Sequence, residues 1–182
     1  MLCDLYLPAF KAGGPVRSVA ALVYHLREEY NFYIITSNTD AFDTTPLPVS
    51  TYEWVNGHYG EKTCYLPGKI TRGKLFEIMN QVEYDLVYIN SFFSKPFSIY
   101  PLLLQKQGKI KKPVVLAPRG MLREGALAIK AAKKKWFLAF SKLGGLHKNL
   151  TWHATSQQEV DEIKKVFGKS HVVLAPNLTL PP

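Results

Sequence analysis

The stretch Leu5-Tyr6-Leu7-Pro8-Ala9-Phe10-Lys11-Ala12-Gly13-Gly14-Pro15-Val16-Arg17-Ser18-Val19 decides how the chain is read. It predicts an apolar strand ending at Pro8, a short loop closing on two glycines, and a helix opening at Pro15. Glycine admits positive φ and close backbone approach, and proline at the first helical position wastes no N–H. The free N–H groups of such a helix start, with about half a positive charge from the macrodipole, suit an anion. Arg17 follows in the first turn. A Gly-Gly pair taken alone is also what a plain strand-to-helix turn uses, so the surrounding chain has to decide between the two.

Downstream, Val16, Val19, Ala20, Val23 and Leu26 recur at helical spacing and predict a helix from Pro15 to Tyr30. His25 falls off that stripe and is given no role. Short apolar runs at 32–37, 62–66, 85–89, 114–117, 150–155 and 171–174 read as buried strands, with Leu2–Leu7 as the first. Helical segments stand between most of them, among them Arg72–Val82 capped by Thr71, a helix opened by Pro96, and one from Gly125 to Leu143. Ser156 and Glu159 have the spacing of a capping box. Alternation of this kind predicts an α/β, Rossmann-like three-layer domain: a mostly parallel sheet of about seven strands with helices on both faces. Residues 38–61 break the pattern, and Tyr52, Trp54 and Tyr59 there either stack on a sugar or pin the loop to the domain.

In parallel sheets, ligands bind beyond the carboxyl ends of the strands, at the switch point of the strand order. Three predicted loops leave from that edge: Gly13-Gly14 with Arg17, Asn90-Ser91, and Arg119-Gly120. The chain carries no G-x-G-x-x-G and no Walker sequence, and no carboxylate pair, metal-ligand cluster or nucleophile–base motif emerges. No apolar run approaches the roughly 20 residues of a membrane span, and no signal peptide is recognisable. Cys3 and Cys64 lack metal or redox spacing and read as reduced core thiols of a cytosolic protein.

The charge is unevenly placed. The chain has a net charge of +9, yet residues 106–148 hold twelve Lys/Arg against the single acid Glu124, leaving eleven bases and thirteen acids elsewhere. Such a field attracts anions. Within it, Ile129, Ala132, Trp136 and Phe140 share one side of the predicted helix, and Lys130, Lys133 and Lys134 another. That segment, 126–142, suits an anionic membrane surface; it also suits an ordinary surface helix packed on a sheet with solvated lysines. Nucleic acid is not expected, because the aromatic residues lie mostly in apolar elements rather than interleaved with the bases, Trp136 excepted.

Several segments together carry a family resemblance. These are Phe10 to Ser18, Tyr88-Ile89-Asn90-Ser91-Phe92-Phe93, Ala117-Pro118-Arg119-Gly120-Met121-Leu122 with Gly125-Ala126-Leu127 and Lys133-Lys134, Ala154-Thr155-Ser156 with Glu159, and Ala175-Pro176-Asn177. In order and spacing they resemble the amino-terminal half of family 4 glycosyltransferases, retaining enzymes of GT-B architecture with two Rossmann-like domains across a cleft. The resemblance implies that residues 1–176 are the acceptor-side domain and 177–182 the start of a linker to a donor-binding domain. It implies a nucleotide-sugar donor as substrate, a glycan or lipid-linked acceptor, no cofactor and no metal. It places the protein in the cytoplasm, at the inner face of the cytoplasmic membrane where the acceptor is lipid-linked. Carried over by position, Gly13, Gly14 and Arg17 lie toward the donor diphosphate, and Asn90, Ser91, Gly120 and Lys130 toward the acceptor. Arg119 faces the reacting sugar, where many relatives carry histidine. Its planar fork suits a phosphate or a substrate hydroxyl. On this reading the chain alone transfers no sugar, and transfer measured with the pure chain would refute the division of labour. The competing expectations are a non-enzymatic module that uses its basic face for an anionic partner, and a different nucleotide-dependent α/β enzyme. No nucleobase or ribose reader is identifiable for the latter.

Overall fold

The computed structural model describes residues 1–129 and 131–181. The chain is α/β and divides into two compact units, residues 1–82 with 177–182, and residues 83–176. The expected single sheet of seven strands is not what forms: the seven strands lie in one sheet of three and one of four.

In the first unit, α1 (Gly14–Leu26) is followed by β1 (Tyr33–Ser37), β2 (Trp54–Asn56), β3 (Lys62–Leu66) and α2 (Arg72–Met79). β1 runs parallel to β3, and β2 runs antiparallel to β3, so this sheet is mixed. The strand expected over Leu2–Leu7 reduces to a parallel bridge of Leu2 with Ile35. Backbone bonds to β1 continue only to Asp4, whose carbonyl accepts from Ser37 N–H. Beyond it the chain turns away, because the buried Tyr6 hydroxyl donates to Glu61 at 2.7 Å and Pro8 has no N–H to offer a ladder. α1 ends four residues earlier than expected, at Leu26, where the Glu29 and Tyr30 N–H groups both close onto the Leu26 carbonyl. Its stripe packs as the spacing requires: Val19, Ala20 and Val23 meet Cys3, Tyr6 and Ile34 in the core of this unit. Leu180 from the chain's last residues also packs there. The irregular 38–61 segment hides β2, which pairs with β3 as a short hairpin. Its aromatics pin it: Trp54 meets the Tyr33 ring edge-on at 5.5 Å, and Tyr59 meets Tyr24 at 5.4 Å. Cys3 and Cys64 are buried and free, and burial pushes their thiols up to about 12 and about 11.

The second unit is a wholly parallel sheet in the order β4 (Val87–Ile89), β5 (Val114–Leu116), β6 (Thr151–Ala154), β7 (Val172–Leu174). Four parallel neighbours need three crossovers, and each is helical. The first is a π-helical turn over Lys95–Ile99 running into α3 (Tyr100–Lys106). The second holds α4 (Glu124–Ala128) and α5 (Ala131–Leu143), and the third is α6 (Gln157–Phe167). The single helix expected from Gly125 to Leu143 is therefore two, because Ile129 takes extended backbone (ψ 119°) and ends α4. The strand order never reverses within this sheet, so it contains no switch point of its own.

Candidate functional site

At the carboxyl edge of the four-stranded sheet, one side-chain network crosses every strand. β5 ends in Pro118-Arg119-Gly120-Met121, a turn closed by Met121 N–H to the Pro118 carbonyl at 3.1 Å. Both central residues have positive φ, 53° at Arg119 and 73° at Gly120. Glycine does this freely; an arginine held there stores about 1 kcal/mol or more of backbone strain. The strain is offset by what the turn gains. The Arg119 Nε donates to Asn90 Oδ1 at 2.5 Å, just past β4, and its Nη2 donates to the Tyr88 hydroxyl, on β4, at 3.0 Å. Tyr88 lies 2.6 Å from Nδ1 of His153 on β6, whose Nε2 lies 2.8 Å from the Ala175 carbonyl, just past β7. A carbonyl can only accept, so the imidazole proton sits on Nε2, Nδ1 accepts from the tyrosine O–H, and the tyrosine oxygen accepts from Arg119. One direction of donation thus runs from the guanidinium to the Ala175 carbonyl.

A second anchor fixes the same turn. Glu159 in the first turn of α6 is almost wholly buried (1% exposed) and accepts from Gly120 N–H at 2.6 Å. Its other oxygen accepts from Thr155 N–H at 2.7 Å and Thr155 Oγ1 at 2.9 Å. Half of the expected capping box is present, since Ser156 Oγ accepts from Glu159 N–H at 3.2 Å. The reciprocal half is replaced: the glutamate reaches Thr155 and the Gly120 loop instead of the Ser156 amide. Titration follows this geometry. Burial pushes the Tyr88 hydroxyl up, against the pull of Arg119. Burial, with the nearby Arg119 charge, keeps His153 below its ordinary value and hence neutral.

Of the expected site residues, Asn90, Arg119 and Gly120 are therefore brought together. Ser91 is buried (1% exposed) and faces the Met121 sulfur, so it presents nothing to solvent. Lys130 lies outside the described residues. Tyr88, His153 and Glu159 complete the network without having been singled out as site residues. The legible signal was the alternation around them: Tyr88 between buried Val87 and Ile89, and His153 between buried Trp152 and Ala154, place both polar rings on one face of the sheet.

The glycine loop belongs to the first unit. Gly13 caps α1 with φ 62°, Pro15 stands in the first turn, and neither a capping side chain nor an acidic first-turn residue is present there. A Cβ at Gly13 or Gly14 would meet nothing within 4 Å, so these glycines make room for something other than this unit's own atoms, or for nothing. The Arg17 side chain is exposed beside them. The approach to the loop is fixed by Asp40, which accepts from Phe10 N–H at 2.9 Å, Lys11 N–H at 3.2 Å and Ala41 N–H at 2.6 Å. Burial raises the Asp40 carboxyl, and the three amides together with the Lys11 charge outweigh it, leaving a net lowering.

Among the described residues no group of three His, Cys, Asp or Glu side chains is placed to hold a metal ion, and no helix is long and apolar enough to cross a membrane. No protein-family model matches the chain, and no curated protein or solved structure matches it.

Proposed function

We propose that the chain is the acceptor-side part of a retaining glycosyltransferase that moves a sugar from a nucleotide-sugar to a glycan or lipid-linked acceptor. The observation that carries this reading is the strained Arg119 turn, wired to Asn90 and Tyr88 at the carboxyl edge of a parallel sheet. Strain kept at one residue and supported by a buried carboxylate is what a preorganised polar site requires. A guanidinium held in plane by two partners receives a sugar hydroxyl or a phosphate oxygen with little loss of side-chain freedom. The uncapped α1 start would offset negative charge on a departing diphosphate through backbone N–H groups, as metal-free phosphate sites do. In this reading Arg119 is the reacting-sugar contact, Asn90 and Gly120 line the acceptor side, and Gly13, Gly14 and Arg17 serve the diphosphate.

The test is an amide chemical-shift titration of the labelled chain with nucleoside diphosphates and, separately, with a panel of mono- and oligosaccharides. Diphosphate is expected to shift residues 13–18, and a saccharide residues 88–91 and 117–121. Arg119→Lys should weaken saccharide binding by roughly tenfold, because a lysine lacks the fork. Shifts in neither loop with any member of the panel would overturn the reading.

A further inference from the structure

The clearest feature outside the two loops is α5, which has two apolar faces. One is packed: Phe137 meets Phe92 at 5.9 Å and Phe93 at 5.7 Å, and Ser141 is buried beside it. Lys134 is drawn into the same side, its Nζ 4.8 Å from the Phe93 ring and bonded to the Ala126 carbonyl. At about 100° per residue, the opposite face carries Ala132, Trp136, Ala139, Phe140 and Leu143 within an arc of about 100°. Nothing in the second unit covers it. Trp136 is 65% exposed, Phe140 63% and Leu143 88%. A surface helix of a globular domain buries its apolar arc and turns its polar one outward. Here the packed arc needs only Phe137, Leu138 and Ser141, and the larger hydrophobic side chains point away.

The lysines sit where such an arc meets a charged boundary. On the same wheel Lys133 flanks one side of it and Lys135 the other; Lys142 lies beside Lys135 on the wheel, but its Nζ turns to the Phe167 ring, 5.7 Å away. None of the three forms an ion pair with a carboxylate among the described residues. α5 contains no acid at all. An apolar stripe edged on both sides by cations, with an aromatic pair at its centre, is the pattern of a helix that lies in a bilayer interface.

We propose that this face of α5 docks on an anionic phospholipid surface, with Trp136, Phe140 and Leu143 entering the headgroup–acyl boundary and Lys133 and Lys135 engaging lipid phosphates. The proposal stands apart from the sugar-transfer reading and fails separately from it. Charge complementarity selects the occupant. A second copy of the chain would bring two uncompensated lysine rows together. Single-stranded nucleic acid wants open aromatic faces among its cations, whereas Trp136 and Phe140 stack on each other, with centroids 5.6 Å apart and 20° between planes. Leu143, the most exposed of the three, offers a base nothing to stack on.

The experiment is co-sedimentation of the full chain with phosphatidylcholine vesicles, with and without phosphatidylglycerol, alongside quenching of tryptophan fluorescence by brominated lipid. Binding is expected only to the anionic vesicles, weakening with salt, with quenching that disappears in Trp136→Phe. The Lys133→Gln/Lys135→Gln variant should bind roughly thirtyfold more weakly, near fivefold per lysine. Trp136→Ser/Phe140→Ser should lose roughly tenfold or more through its apolar term. All these positions are exposed, so unchanged circular dichroism and melting temperature will show that the variants fold. Equal binding to neutral vesicles, unchanged binding of either variant, or a chain that self-associates through Trp136 without lipid would overturn the proposal. So would loss of RNA binding in the same variants with no vesicle binding by the parent.

Discussion

Asp40 in the first unit and Glu159 in the second do the same job. Each is a nearly buried carboxylate, 4% and 1% exposed, that accepts backbone N–H groups from a loop distant in sequence. What they hold differs. Asp40 fixes Phe10 and Lys11, and the glycines that follow are left bare, with no capping side chain and open space around both Cα atoms. Glu159 fixes Gly120, and the residue before it is wired by its side chain to β4 and onward to β6. One loop offers backbone, the other a positioned cation. A loop anchored through backbone amides can thus be finished with no side-chain chemistry or with a full network.

Removing the anchors should break the two loops unequally. Glu159→Ala leaves Gly120 N–H, Thr155 N–H and Thr155 Oγ1 without their acceptor in a buried place. The expected loss is about 4 kcal/mol, a fall in melting temperature of roughly 10 °C. Asp40→Ala should cost clearly less, because Phe10 is 72% exposed and its amide can rehydrate. Thermal unfolding of both variants measures this. Equal losses would mean that the exposure of the held loop does not set what its anchor is worth.

Acid should separate the units next. His147 packs against both Phe92 and Trp152, which also touch each other; neither ring nitrogen has a hydrogen-bond partner among the described residues, and burial lowers its pKa from 6.5 to about 4. His153 is lowered too, by burial first and then by Arg119. For both, the unfolded chain takes up a proton that the folded chain refuses. Their stabilisation is complete above pH 6.5 and drains away as the pH falls toward 4, by about 3 kcal/mol from His147. Asp40 acts in a lower window: its folded pKa lies under 3.8, so its contribution is lost only as the pH drops below that value. Hydrogen exchange followed between pH 6.5 and 4 should show the second unit loosening first, and His147→Phe, which fits the aromatic stack, should flatten the slope. A first unit that loosens in step with the second would refute this account.

Tyr88→Phe probes the wiring alone. It removes the one hydroxyl shared by Arg119 and His153 and leaves His153 Nδ1 without its donor. The cost should be about 1–2 kcal/mol. The resonances to follow are those of the Arg119 Nη–H groups, which should broaden while the Gly120 amide, held by Glu159, stays put. If both move, the side-chain network and the carboxylate anchor are one device, not two.

How much of this was readable beforehand depended on the range of the interaction. The runs of β1 and β3 were legible because burial on both faces leaves continuous hydrophobic stretches, and β4 to β6 because buried residues alternate along them; β7 is apolar in sequence, yet Val173 and Leu174 are half exposed in the structure. The α1 stripe was legible as buried residues at helical spacing. β2 was missed because three residues, Trp54-Val55-Asn56, give no periodicity, although the Asn56-Gly57 pair that follows is a hairpin signal in its own right. The division into two sheets was hidden because strand runs predict strands, not their neighbours. Arg119 and Asn90 could be picked out as polar residues just past strands. That Glu159 would reach 39 residues back to Gly120, and not to its own cap, could not, since local spacing satisfied a capping box equally well. The two faces of α5 were visible as a pattern, but only packing shows which one is covered.

The smallest effects test whether the bare loop is bare for a reason. Gly13→Ala forces a side chain onto φ 62° and should cost about 1–2 kcal/mol with no clash to blame, since its Cβ would meet nothing within 4 Å. Gly14→Ala is the opposite case. Gly14 is the first residue of α1, its φ is not in the left-handed region, and its Cβ would also find open space. Helix propensity and chain entropy favour the alanine by about 0.5–1 kcal/mol, and crowding of its Cβ against the Pro15 ring that follows opposes the gain, so stability should change by less than about 1 kcal/mol in either direction. A plain turn has no use for the smaller residue there, so on that reading the substitution changes nothing else. If a diphosphate approaches the backbone, the added methyl group stands in its way. The same variant should then melt close to the parent yet bind nucleoside diphosphate at least tenfold more weakly, by calorimetric titration, with each roughly tenfold step worth about 1.4 kcal/mol. A folded Gly14→Ala variant that binds as well as the parent would reduce the loop to a turn. It would leave Arg119 as the sole polar feature on which the sugar-transfer reading rests.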